Sequence, residues 1–225
     1  MSLGTPLAEI VLFLGAYLIG GIPFGWLVGK LKGVDLRQVG SGSVGATNAS
    51  RLWTGGMSIV MFVLVFALDF SKGLFVALFS AKGAEIVGHQ LGSESQALTL
   101  QVICGLGAIL GHVYTPYLKF KGGKGVATTF GVVTALAPLS SLFGLGAWGM
   151  FLALTRYMSM GSMAAVTAIP ISYVLNKGQD TFNRYFVVFA FFTVIAGFVV
   201  WSHRSNIKRI LQGSERRVGE ADQKL

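Results

Sequence analysis

The feature that most limits what this chain can fold into is the length of its apolar runs. Eight of them, at 7–29, 56–68, 74–88, 97–118, 126–137, 139–155, 159–175 and 185–201, occupy most of the sequence. A helix of roughly 17–25 apolar residues spans a bilayer, so some of these runs are complete crossings and others are too short to cross alone. One soluble core cannot absorb so much apolar surface. Charged residues make up 12% of the 225 residues, and mean hydropathy is +0.67. An ordinary soluble domain carries about twice that charge. The expected class is therefore an all-α polytopic membrane protein forming a single integral-membrane domain over 1–225. The first run reads as a retained span rather than a secretion signal. No Lys or Arg precedes Lys30, Glu9 is the only early charge, and no small-residue cleavage site follows. The single cysteine, Cys104, lies in an apolar run and supports neither a disulfide nor a cysteine-based metal site.

Charge is concentrated in three segments. Lys30, Lys32, Arg37 and Arg51 lie in the first, and Lys119, Lys121 and Lys124 in the second. Arg204, Lys208, Arg209, Arg216, Arg217 and Lys224 lie in the tail. With the acids Asp35, Glu215, Glu220 and Asp222 counted, these segments account for the whole net charge of +9. Basic loops beside span ends stay in the cytoplasm, which predicts an outside amino terminus, an inside carboxyl terminus and an odd number of crossings. Seven crossings fit if 52–88 crosses once, with a break near Asp69 to Gly73, and if 126–155 crosses twice, turning near Pro138. Broken or re-entrant helices are expected near the cytoplasmic loops.

The residues between these charges suit an oxyanion. In the first segment, Gly40, Ser41, Gly42, Ser43, Val44, Gly45, Ala46, Thr47, Asn48, Ala49, Ser50 and Arg51 combine small residues, hydroxyls, an amide and a guanidinium. Glycines bring main-chain N–H groups close to an anion, and arginine grips phosphate through two parallel hydrogen bonds. Gly40, Gly42 and Gly45 also satisfy G-x-G-x-x-G, but no strand, βαβ unit or ribose-binding acid accompanies them, which excludes a dinucleotide site. Close packing of membrane helices is the alternative use of such small residues, and it requires neither Arg51 nor the hydroxyls.

The second segment, Lys121, Gly122, Gly123, Lys124, Gly125, Val126, Ala127, Thr128 and Thr129, leads into an apolar helix whose amino-terminal N–H groups favour an anion. Gly125 follows Lys124 where a Walker A motif needs Ser or Thr, so nucleoside triphosphate binding is not implied. The alternative is a flexible turn with ordinary orienting lysines. In the third segment, from His203 to Glu215, a helix places Ile207, Ile210 and Leu211 on one apolar face suited to the membrane surface. His203 and Asn206, three apart, can point into one polar cavity. Asp69 with Lys72, Arg156 with Ser159, and His112 sit in or beside apolar runs, where ionisable groups line cavities or mark span ends.

The stretches GSGSVGATNASR, FKGGKGVAT and HRSNIKRILQGSE resemble the three motifs of the acyl-phosphate glycerol-3-phosphate acyltransferase family. GIPFG at 21–25, DFSKG at 69–73, GHVYTP at 111–116 and RYMSMGS at 156–162 are similar to further family patterns, in the same order along the chain. Ser43 stands where the family usually has asparagine, and Gly21 where it usually has serine. The resemblance implies transfer of a fatty acyl group from acyl phosphate to the 1-hydroxyl of sn-glycerol 3-phosphate, giving lysophosphatidic acid and phosphate for phospholipid synthesis. It implies a monomer in the bacterial inner membrane with a cytoplasmic-facing site and no metal or other cofactor. Ser41, Arg51, His203 and Asn206 correspond to catalytic residues. Gly40, Gly42, Ser43, Thr47, Asn48, Thr128 and Arg204 correspond to substrate-binding positions, and Gly122, Gly123, Lys124 and Gly125 to the glycerol 3-phosphate cradle. Glu215 corresponds to a structural position. The proton acceptor is either His203 or a phosphate oxygen of the substrate. Two other classes compete: an organophosphate transporter, which needs a two-sided pathway, and a lipid-binding scaffold, in which His203, Asn206 and Ser41 would be dispensable.

Overall fold

The computed structural model describes residues 5–220, so Asp222 and Lys224 of the basic tail lie outside the described residues. Every regular element among the described residues is helical, and the helices group into two units that meet in sequence between Leu136 and Ala137.

In the first unit, α1 (Thr5–Gly21) and α2 (Phe24–Leu31) are separated at Ile22 and Pro23. Proline has no N–H and constrains the residue before it, so the first span bends here and continues to Leu31. A 3₁₀ turn at Leu36–Gln38, capped by the Asp35 side chain accepting from the Arg37 amide, leads to α3 (Ala46–Ser50) and α4 (Gly55–Leu78). Then follow α5 (Ser80–Ile86), α6 (Glu94–Val113), a 3₁₀ turn at Pro116–Leu118, and α7 (Val126–Leu136). Helix α6 starts where Ser93 accepts a hydrogen bond from the Gln96 amide with Glu94 in the first turn, which satisfies one end donor and complements the helix dipole.

Helix α1 packs on α6 and α4 on α7. Both crossings depend on small residues: a β-carbon at Gly20 would overlap the Ala108 backbone, and one at Gly73 the Thr128 backbone. Without a hydrophobic driving force between helices in lipid, such close approach supplies the dispersion contacts that hold them. The outward face of α4 carries Ile59, Val60 and Val63, all exposed, as a lipid-facing surface requires.

The second unit contains α8 (Pro138–Thr155), α9 (Met158–Lys177), a 3₁₀ turn at Gly178–Phe182, α10 (Phe186–Ser202) and α11 (Arg204–Leu211). Pro138 occupies the first turn of α8, where its missing N–H removes nothing from the helix. Tyr173 of α9 meets Phe192 of α10 edge to face at 5.2 Å, and both are buried. Helix α11 bends from α10 by 52°.

Five helices among the described residues are long and apolar enough to cross a membrane, and six if α10 and α11 form one span. The helix boundary in 126–155 falls at Ala137–Pro138, but α7 has only 11 residues, about 16 Å of helix against a hydrocarbon core of about 30 Å. The expected break near Asp69 to Gly73 is corrected. Helix α4 runs unbroken through this segment and the interruption comes at Phe79. Asp69 and Lys72, one turn apart, pair at 2.8 Å, so the helix carries both charges without opening its backbone.

Candidate functional site

The loop before α3 is built around Asn48, which is 3% exposed. Its Nδ2 donates to the carbonyls of Leu36, Val39 and Ser43 at 3.1, 3.1 and 2.9 Å, and its Oδ1 accepts from the Ser41 amide at 3.1 Å. The amide expected to bind substrate is thus the internal brace of the loop. Gly40 and Gly42 have φ of +59° and +71°, a conformation that a β-carbon disfavours. At Gly40 a β-carbon would also strike the Asn48 carboxamide. Leu36, Val44 and Ala49 bury themselves beneath, against Val28 and Val65, and fix the loop to α2 and α4.

This brace leaves Ser41 exposed at the rim, with its side-chain hydroxyl engaged by no other described residue. Arg51 caps α3 and turns its guanidinium back toward Gly40, 3.8 Å from where a β-carbon would stand. Ser43 Oγ accepts from the Gly45 amide at 3.4 Å, and Thr47 lies half-buried in α3 with its carbonyl accepting from Ser50. Arg37 lies bidentate on Asp35 at 2.6 and 2.9 Å. That guanidinium holds the Asp35 carboxyl below the usual carboxylate range against a smaller opposing effect of burial, so Arg37 is neutralised locally.

The glycine segment before α7 meets the end of α6. The Gly122 and Gly123 amides donate to the carbonyls of Val113 and His112 at 3.0 and 3.1 Å, so these two N–H groups, expected to cradle an anion, hold the loop to the protein instead. Both glycines are needed for closeness: a β-carbon at Gly122 would overlap the His112 carbonyl, and one at Gly123 the His112 ring. Gly125, at φ +82°, turns the chain into α7. Lys124 is half-buried between these anchors. The donors that point onward are the N–H groups of the first turn of α7, which have no partner within the helix. Thr128, expected to contact substrate, is fully buried and donates to the Asp69 carbonyl of α4 at 3.0 Å.

In the second unit, His203 links α10 to α11 and is buried. Its Nδ1 lies 2.8 Å from the Val199 carbonyl. A carbonyl only accepts, so Nδ1 carries the hydrogen there and Nε2 is the nitrogen able to take up a proton. Asn206 is buried and donates to Glu215 Oε1 at 2.6 Å, while Ser159 donates to the same oxygen at 2.8 Å and Arg209 to Oε2 at 2.7 Å. Burial pushes the Glu215 carboxyl up, but the hydrogen bonds from Asn206, Ser159 and Arg209 outweigh it and hold the group below its ordinary value. The described chain beyond Gly213 is therefore held against the start of α9. It is pinned by two reciprocal 2.8 Å bonds between Arg156 and Val218 and by Arg217 donating to Tyr157. Arg204 is exposed, with its guanidinium 4.1 Å from the centre of the Trp201 ring.

A cluster outside the three motifs lies directly under the glycine segment. Asp69 and Lys72 of α4 and His112 of α6 are 2%, 4% and 6% exposed and interact with one another. The spacing of Asp69 and Lys72 hinted at their pairing, but nothing in the sequence joins them to His112.

The glycerol-3-phosphate acyltransferase family profile matches residues 10–213. The chain belongs to the glycerol-3-phosphate acyltransferase family. The acyltransferase of Aquifex aeolicus is 42% identical over 209 residues, covering 92% of this chain and 98% of that protein. That of Geotalea daltonii is 42% identical over 209 residues, covering 92% and 96%. Two crystal structures of PlsY, described as an integral membrane glycerol 3-phosphate acyltransferase, superpose on the fold. The glycerol 3-phosphate form gives a TM-score of 0.79 at 38% identity, covering 94% of this chain and 96% of that one. The lysophosphatidic acid form gives 0.76 at 37%, covering 94% and 95%. The chain is an integral membrane acyltransferase of phospholipid synthesis.

Proposed function

We propose that this acyltransferase moves a fatty acyl group from acyl phosphate to the 1-hydroxyl of sn-glycerol 3-phosphate, acting as a monomer from the cytoplasmic face of the bacterial inner membrane. The observation that carries the acceptor is the match to PlsY in glycerol 3-phosphate and lysophosphatidic acid forms, an acceptor and its acylated product. The acyl-phosphate donor is supported by the character of the polar segments: hydroxyl, guanidinium and ammonium groups on rigid loops suit two phosphates better than a thioester.

The 1-hydroxyl oxygen attacks the acyl carbon, the carbon–oxygen ester bond forms, and the bond from acyl carbon to the phosphate oxygen breaks. Phosphate leaves with the electron pair. The hydroxyl proton passes to a phosphate oxygen of the substrate, with His203 Nε2 as the alternative acceptor. Acyl phosphate already has a good leaving group, so alignment and charge neutralisation are the main tasks. Arg51 and Ser41 grip a phosphate, and Lys124 and the first turn of α7 hold glycerol 3-phosphate. Asn48 and Glu215 position these groups without touching substrate.

The donor assignment is tested by supplying purified protein in lipid with glycerol 3-phosphate and either palmitoyl phosphate or palmitoyl-coenzyme A. Lysophosphatidic acid should form from the phosphate donor alone. Equal product from the thioester would overturn it.

A further inference from the structure

We propose that His112, braced by the buried Asp69–Lys72 pair, is a positioning residue that seats the glycine segment and thereby sets Lys124 on glycerol 3-phosphate. The inference rests on the assignment of Lys124 to that substrate.

Three ionisable side chains buried together call for a reason beyond packing. Removing charges from water is costly, and apolar residues of similar volume would pack at least as well. Here the opposite charges lie in contact, although Asp69 Oδ1 has no well-aligned hydrogen bond among the described residues. Lys72 Nζ lies 2.8 Å from Asp69 Oδ1 and donates to the Ile22 carbonyl at 2.9 Å, at the bend that ends α1. The Asp69 carboxylate is thus met by a lysine of its own helix that is itself tied to the end of α1, and His112 Nδ1 of α6 lies 3.4 Å from the same oxygen.

With Nδ1 turned to Asp69, the opposite edge of the ring faces the glycine segment. A β-carbon at Gly123 would meet Nε2 first, so the ring forms the floor on which Gly123 rests. The main chain of His112 completes the seat by accepting from the Gly123 amide at 3.1 Å. On the other side of Lys124, Thr128 is tied to the carbonyl of Asp69 at 3.0 Å. Lys124 therefore hangs between two anchor points that both lead to the same buried cluster. A change in the tilt of the His112 ring moves the Gly123 Cα and with it the base of the Lys124 side chain.

The test is steady-state kinetics of full-length His112→Ala, His112→Asn, His112→Gln and Lys124→Ala in lipid, with melting temperature measured alongside. Asparagine places an amide where Nδ1 stands and leaves a gap under Gly123, whereas glutamine reaches the place of Nε2. His112→Ala should raise KM for glycerol 3-phosphate by about tenfold or more, as small misplacements of a binding group do, with KM for the acyl donor unchanged. His112→Gln should recover most of that loss and His112→Asn little of it, at similar melting temperatures. Equal behaviour of Asn and Gln, or a fall in kcat that merely tracks melting temperature with both KM values unmoved, would overturn the proposal. If Lys124→Ala raises KM for glycerol 3-phosphate while His112→Ala and His112→Asn leave it alone, the proposal alone fails. If Lys124→Ala leaves that KM unchanged, the assignment of Lys124 is wrong and the proposal falls with it.

Discussion

At the scale of single residues, the same chemistry serves two ends, and burial separates them. Ser41 and Asn48 both offered hydrogen-bonding groups in one loop, yet Ser41 is exposed and Asn48 is 3% exposed with three carbonyls around its amide. Ser41→Ala should lower activity at unchanged melting temperature. Asn48→Ala should lose activity together with about 2 kcal/mol or more of stability, because buried carbonyls are left unpaired; activity and thermal unfolding in detergent, measured on both variants, check this. Arg51→Ala should remove nearly all activity, as loss of a charge-stabilising donor costs about 10²–10³. His203→Ala should cost less than about a hundredfold, below the usual contribution of a general base. Equal losses at Arg51 and His203 would argue for His203 Nε2 as the base. Sequence alone could not make the distinction at Asn48, Gly122 or Gly123, since a donor facing its own backbone and one facing a ligand are spelled alike.

At the scale of elements, apolar runs and prolines were the readable signals. The bend at Pro23 and the start of α8 at Pro138 follow from proline's missing N–H. The unbroken course of α4 through Asp69 was hidden because the pairing of Asp69, Lys72 and His112 joins two helices distant in sequence. The pinning of the tail was hidden for the same reason: Glu215 gathers Ser159 from α9 and Asn206 and Arg209 from α11. Because the folded Glu215 pKa is depressed, its contribution is present above the unfolded value of about 4.3 and is lost as pH falls through the folded value. Glu215→Gln should therefore lower the melting temperature at neutral pH, and the gap to wild type should close as pH is lowered below the usual carboxylate range.

At the scale of the whole molecule, membrane residence was legible from composition, and the family from three motifs spread along the chain. The number of crossings was less legible than the apolar runs suggested, since α7 is too short to span by itself. In the proposed function the polar loops of this membrane protein bring an acyl phosphate and glycerol 3-phosphate together, rather than transport or merely bind an anion. The most direct measurement is of phosphate release and lysophosphatidic acid formation by purified protein in lipid vesicles with palmitoyl phosphate, with and without glycerol 3-phosphate. One phosphate should appear for each lysophosphatidic acid, and only when glycerol 3-phosphate is present. Phosphate released at the same rate without the acceptor, or glycerol 3-phosphate taken into vesicles with no product formed, would contradict the account.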